Sequence, residues 1–223
     1  MLSKVIATLL LVFTAALHAQ TFEEHMVFPG EEVNSLPLES YANMWWQWTY
    51  TMPQEISPVR DRIGEYCHVG QQGNVWFLAG GYGSSKISRT CTIPEGTYVF
   101  FPVINMLKFP GKKESKLTCE HAKAQAALNN DQLLTIEVEL NGMVYSNPTH
   151  ARLVSKECFD LLGMIPEEYG APRVFPAATD GFWLMLKPLE KGEHSLKFNA
   201  QYNRDKGAYS QMAQDIEYKI VVQ

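Results

Sequence analysis

The sequence predicts a mainly β protein: an antiparallel β-sandwich, of jelly-roll or immunoglobulin-like type, with one or two α-helices. Three observations predict it. Two segments alternate apolar and polar residues, the mark of a half-buried strand. In one, Leu134, Ile136, Val138 and Leu140 alternate with Thr135, Glu137 and Glu139; in the other, Ile216, Tyr218, Ile220 and Val222 alternate with Asp215, Glu217 and Lys219. Short apolar runs at 75–79 and 181–186 suit strands covered on both faces. Turn signals separate these segments at short intervals, Asn141-Gly142 being the strongest short hairpin signal in the chain.

In chain order, Lys4 precedes an uncharged apolar run at 5–16, and Ala19 offers a small residue for cleavage. A bilayer takes about 20 apolar residues, so residues 1–19 read as a signal peptide and not a membrane anchor. No later stretch is long and apolar enough to span a membrane, and no cysteine stands at the cut to carry a lipid. The expectation is an exported chain, periplasmic or secreted, with no integral membrane segment. Residues 20–39, with Pro29-Gly30 and Pro37, read as an extended N-terminal arm, and 40–223 as one β-rich domain.

Ser40 has the chemistry of a helix N-cap, and Tyr41, Met44, Trp45, Trp48 and Met52 then share one helical face up to Pro53. Residues 81–86 read as a hairpin loop. Strands follow at 87–92 and 97–104, joined by Pro94-Glu95-Gly96. Alanines at 122, 124, 126 and 127 favour a second helix over 118–128. A strand at 151–155 and a closing hairpin, 181–186 against 195–201, complete the reading.

The formal charge is −5, and −6 once Lys4 is removed. An acidic chain with scattered bases is a poor match for nucleic acid. Its densest basic cluster, Lys108, Lys112, Lys113 and Lys116, reads as a solvated loop. The four cysteines, Cys67, Cys91, Cys119 and Cys158, allow three pairings. Cys67–Cys91 with Cys119–Cys158 is favoured, because the first pair flanks one strand and can meet locally. No C-x-x-C pair is present to hold zinc.

No motif fixes a catalytic function. The histidines at 25, 68, 121, 150 and 194 show no zinc-protease spacing, and G-x-S-x-G is absent. The glycine-rich segment at 81–86 lacks the G-K-[ST] of a phosphate loop. His68 could join His121 or His150 at a metal only by converging in space. His194, at the closing turn, reads as a group that bonds a backbone carbonyl. Carboxylates such as Asp61, Glu65, Glu120, Asp160 and Asp180 are abundant and read as surface acids. No cofactor is implied. The aromatic residues stand out: Trp45 and Trp48 belong to the apolar helix face. Trp46 lies off that face and Tyr82 sits in a glycine-rich turn, so these two are the candidate ligand-binding residues, able to stack on a sugar or anchor a protein partner.

Cys67 with residues 70–80 (GQQGNVWFLAG), then 89–96 (RTCTIPEG), 100–105 (FFPVIN) and 180–186 (DGFWLML), resembles the signature of a family of exported bacterial proteins to which no activity is attached. The resemblance implies export and a Cys67–Cys91 pair, and it carries over no catalytic residue. The tail alone resembles the closing hairpin of immunoglobulin-like sandwiches, which bears on fold and not on function.

These readings converge on a non-catalytic binding or envelope-associated protein whose partner is a glycan or an envelope protein. The competing reading is an extracytoplasmic hydrolase acting on an envelope or extracellular polymer. The exported protein is expected to begin at Gln20; its intact mass checks this, and retention of residues 1–19 contradicts it.

Overall fold

A computed structural model describes residues 21–223 except 84, 112–115, 147 and 208. The expected signal peptide, Gln20, Ser84, Lys112 and Lys113 lie outside the described residues.

The chain begins with a 3-10 turn at Phe22–His25, β1 (Met26–Val27) and a small hairpin of β2 (Glu32–Val33) and β3 (Leu36–Pro37). Then come α1 (Leu38–Thr51), β4 (Val75–Phe77), β5 (Ile87–Ile93), β6 (Tyr98–Lys108) and α2 (Cys119–Asn130). The rest is β7 (Leu133–Leu140), β8 (Met143–Tyr145), β9 (Arg152–Val154), β10 (Ala178–Leu186), β11 (Gly192–Tyr202) and β12 (Ala213–Val222). One sheet runs β1-β10-β6-β4, with β9 on the same edge of β10 as β1. The other runs β5-β12-β11-β7-β8. The two pack face to face as a β-sandwich. Most pairings are antiparallel; β4 with β6 and β5 with β12 are parallel.

The two sheets differ in how they meet solvent, and this follows from their residue patterns. Strands β5 and β12 alternate buried and exposed residues, so the second sheet keeps one wet face. That face carries cross-strand ion pairs, Lys197 with Glu139 at 2.9 Å and Lys219 with Glu193 at 2.8 Å. Strand β10 is buried at every position, because α1 covers Trp183 and Met185 on the outer face of the first sheet and α2 packs against β10 as well. Phe182, Leu184 and Leu186 face the sandwich core, while Trp183 and Met185 face the helix.

Two segments expected to be hairpin loops instead cross between the sheets. Residues 81–86 lead from β4 to β5, and 187–191 from β10 to β11. The burial patterns explain both corrections. A uniformly apolar strand needs the helix-covered sheet, whereas an alternating one needs the sheet with a wet face. Asn141-Gly142 does make a hairpin, with φ of 51° and 85° as a type I′ turn requires.

Helix α1 begins at Leu38, not after Ser40; Pro37 holds the cap position and makes no side-chain cap bond. The β2–β3 hairpin delivers the chain straight into the helix, and Leu38, 1% exposed, already belongs to the apolar cluster under it. The polar tips of the buried aromatics on α1 find backbone partners: Tyr41 Oη donates to Val33 O, Trp45 Nε1 to Leu78 O and Trp48 Nε1 to Val69 O, at 2.8–2.9 Å. Thr118 caps α2 by accepting from His121 N. Asn130, at its other end, donates to Asp180 O and accepts from Tyr202 Oη, tying α2 to both sheets.

Strand β6 is central yet contains Pro102. A bulge accommodates it: the register against β10 slips between Phe182 and Trp183, and Val103 and Ile104 both enter the core.

Residues 21–39, extended by sequence, lie against the sandwich, with Phe22 and Met26 in its core. The disulfides are Cys67–Cys91 and Cys119–Cys158, Cα atoms 6.0 and 5.8 Å apart. Each typically adds about 2–4 kcal/mol by restricting the unfolded chain.

Arg89, on the inward face of β5, is only 2% exposed and pairs with no carboxylate among the described residues. Its guanidinium is satisfied by oxygen dipoles. Nε donates to Asp61 O (2.8 Å), Nη1 to Ala79 O (2.6 Å) and Tyr218 Oη (2.8 Å), and Nη2 to Gly80 O (3.0 Å) and Val59 O (3.4 Å). All five N–H groups are used. The loop between α1 and β4 and the segment after β4 are thus pulled onto the second sheet. Arg89→Ala leaves several buried carbonyls unpaired and is expected to cost roughly 3 kcal/mol, read from the urea midpoint. Arg89→Lys, with three donors on one atom, should recover less than half of the loss.

Candidate functional site

The fold opens a cleft of about 950 Å³ at one end of the sandwich, where the end of α1, the 54–62 segment, the turn after β4 and the β11–β12 loop meet. Each wall has a local cause. Gln214, buried on β12, bonds both backbone groups of Gly81: Gly81 N donates to Oε1 and Nε2 donates to Gly81 O, each at 2.8 Å. A Cβ at Gly81 would press on the flexible tip of Ile87, 2.6 Å away at Cδ1, while meeting Gln214 Oε1 at an ordinary 3.7 Å. The next residue, Tyr82, is turned outward and is 59% exposed.

Tyr50, in the last turn of α1, packs edge-on to Phe109 at 5.4 Å and lies 6.0 Å from Trp46. Burial, with Tyr82 and Tyr209 nearby, pushes its phenol up to about 12. Tyr209 takes a left-handed backbone, φ 56°, which costs a non-glycine residue of order 1–2 kcal/mol. Its carbonyl is anchored by Asn129 Nδ2 at 3.0 Å, and its ring is 60% exposed. Arg60 leaves the 57–60 turn, between Val59 and Asp61, the two residues whose carbonyls Arg89 grips; its side chain therefore has nowhere to go but out. Arg62 also lines the cleft and donates to Lys86 O at 2.8 Å.

Of the residues singled out from sequence, Tyr82 lines this cleft and Trp46 does not. Trp46 is half-buried, donates Nε1 to Thr179 Oγ1 at 2.8 Å and stands behind Tyr50. Trp45 and Trp48 are core, 2% exposed each. Tyr209, Arg60 and Arg62 carried no sequence signal: a lone loop tyrosine and an R-x-R in a turn acquire meaning only when folding joins segments 120–150 residues apart.

The candidate acid and metal groups are elsewhere. Asp61 accepts from the backbone N–H of Ile63, Gly64 and Tyr66. Asp160 accepts from Leu162 N and Val174 N. Asp180, 1% exposed, binds Arg152 with both oxygens at 2.8–2.9 Å; burial raises its carboxyl, and the guanidinium opposes that rise. His194 Nε2 donates to Glu190 O at 2.7 Å while Nδ1 accepts from Asn141 Nδ2 at 2.9 Å, so it braces the β10–β11 connection. Among the described residues no three His, Cys, Asp or Glu side chains gather as a metal site, and the described cleft lining contains no carboxylate or imidazole. A second, smaller groove of about 370 Å³ lies beside α1, lined by Met44, Met52, Met164 and Trp48 among others.

No protein-family model matches the chain, and neither does any curated protein compared with it. Among solved structures, a chain of PbICP-C in complex with falcipain-2 aligns with 68% of this chain and 100% of its own length, at 11% identity and a TM-score of 0.27. A likeness this slight assigns no function. The class established by the structure itself is a β-sandwich with two disulfides. Among its described residues no helix is long and apolar enough to cross a membrane.

The raised tyrosines set an alkaline limit. Tyr50, Tyr202 and Tyr218 all have folded pKa values above the usual 10, with burial the first cause in each. The folded chain keeps protons that the unfolded chain releases, so stability is whole below pH 10 and declines as pH rises toward 12. Urea midpoints measured across that window should fall, carried by the fully buried Tyr202 and Tyr218.

Proposed function

We propose that the protein is an exported, non-catalytic binding protein that holds a glycan in the cleft between Tyr50, Tyr82 and Tyr209. The observation that carries this reading is the make-up of the cleft. Phenol rings stand exposed beside the hydroxyl of Ser85, the amide of Gln54 and two guanidiniums. Flat rings offer apolar contact to the C–H face of a sugar, and the hydroxyl and amide can bond its edges. Hydrolysis of a glycoside needs two facing carboxylates, and the described lining supplies none, which counts against the hydrolase reading. The signal-like first 19 residues and the two disulfides support export.

Thermal melting of the oxidised chain against soluble glycans tests this. At a hundredfold excess over Kd a bound glycan should raise Tm by about 5–10 °C. Tyr82→Ala and Tyr209→Ala should abolish that rise while leaving the ligand-free Tm within about 2 °C, since both rings are exposed. If no glycan shifts Tm and cross-linking captures an envelope protein on this face, the ligand is that protein and not a sugar.

A further inference from the structure

The charges at the cleft go further than its rings. The protein is acidic overall, yet the charged side chains among the described lining residues are Arg60 and Arg62, both cations. Neither forms a salt bridge among the described residues. Arg62 bonds a carbonyl, which neutralises nothing. The acid between them, Asp61, is 8% exposed; its two oxygens accept from three backbone amides, and among the described residues it forms no ion pair with either arginine. Two exposed guanidiniums two residues apart, in a concave and half-enclosed place, concentrate positive potential where the rest of the molecule repels anions.

We infer that the cleft recognises an anionic sugar, a uronic acid unit of a polysaccharide, with Arg60 and Arg62 on the carboxylate and Tyr82 and Tyr209 against the ring. This rests on the glycan reading above and narrows it. A guanidinium presents paired N–H groups in one plane, the geometry that a carboxylate accepts with both oxygens. Arg60 and Tyr82 line the same cleft, so charge and ring face one bound chain. The Arg89 bonds to the carbonyls on either side of Arg60 hold its backbone in place before any ligand arrives, which lowers the ordering cost of binding. A sulfated sugar presents an anion by the same route, and the test separates the two.

Calorimetric titration of the oxidised chain would compare an oligogalacturonate, its fully methyl-esterified form, a neutral glucan oligosaccharide and a sulfated oligosaccharide. The ester keeps ring and hydroxyls and removes the charge. The acid form should bind at least ten times more tightly than the ester, and more weakly as salt rises. Arg60→Gln should remove most of that difference while changing ester binding less than twofold; the side chain is exposed, so the variant should keep the parent's Tm. Equal binding of acid, ester and glucan overturns the inference and leaves the glycan reading standing. Binding of the sulfated sugar alone overturns the carboxylate assignment. Binding of none of the four, with no glycan shifting Tm, overturns both.

Discussion

A buried cation held by oxygen dipoles, with no ion pair among the described residues, organises this protein. Desolvating a guanidinium is costly, and Arg89 meets that cost with oxygen dipoles arriving from three stretches of chain. The stretches are the loop after α1, the segment leaving β4 and strand β12 through Tyr218. Remove any of them and the charge is left short of partners, so their positions are mutually dependent. The Cys67–Cys91 bond ties the same loop to the same strand, two residues beyond Arg89. The cleft is downstream of this arrangement, because Arg60 projects from between gripped carbonyls and Tyr82 follows the carbonyls of Ala79 and Gly80. A variant that perturbs binding from the Arg89 cluster would be acting through the cleft's frame.

Gln71, Ala79, Gly80 and Arg89 are parts of this frame. Gln71 fills hydrogen-bonding positions beside β4: Nε2 donates to Cys67 O and Phe77 O, and Oε1 accepts from Phe77 N. Gln214 does the equivalent for Gly81. Both are side-chain amides standing in for a missing strand, and they keep irregular backbone satisfied where it is buried. The sequence blocks around Gln71, Gly80-Gly81 and Arg89 therefore describe how a loop is held, and leave the ligand to residues outside them.

Much of the fold was legible because its signals are local. Period-two alternation located β7 and β12, positive-φ residues located the Asn141-Gly142 hairpin, and a shared helical face placed Trp45 and Trp48 in the core. Strand partners were less legible. The 81–86 and 187–191 turns reverse the chain in a way that looks alike whether the next strand joins the same sheet or the opposite one. The deciding quantity was burial on the second face of β4 and β10, which depends on α1 covering them. The start of α1 was misplaced for a related reason: a serine with capping chemistry was outweighed by a buried leucine two positions earlier. At the cleft, Tyr82 was legible from its exposed turn. Trp46 was misjudged because lying off one helical face does not imply exposure when Tyr50 and Thr179 cover the other side.

Strand β12 sits between β11 and β5 in the middle of its sheet, although it comes last in the described chain. Its partner β5 is more than a hundred residues earlier, and the pairing is parallel, so no local turn can nucleate it. Until residues 213–222 are available, β5 has an unpaired edge, Arg89 lacks the Tyr218 hydroxyl and Gly81 lacks its amide clamp. Such long-range closure makes folding slow. A chain held unfolded until it is whole would meet this requirement directly. One that folded as it emerged would carry an open sheet edge until β12 arrived, the condition under which strands pair with the wrong neighbour.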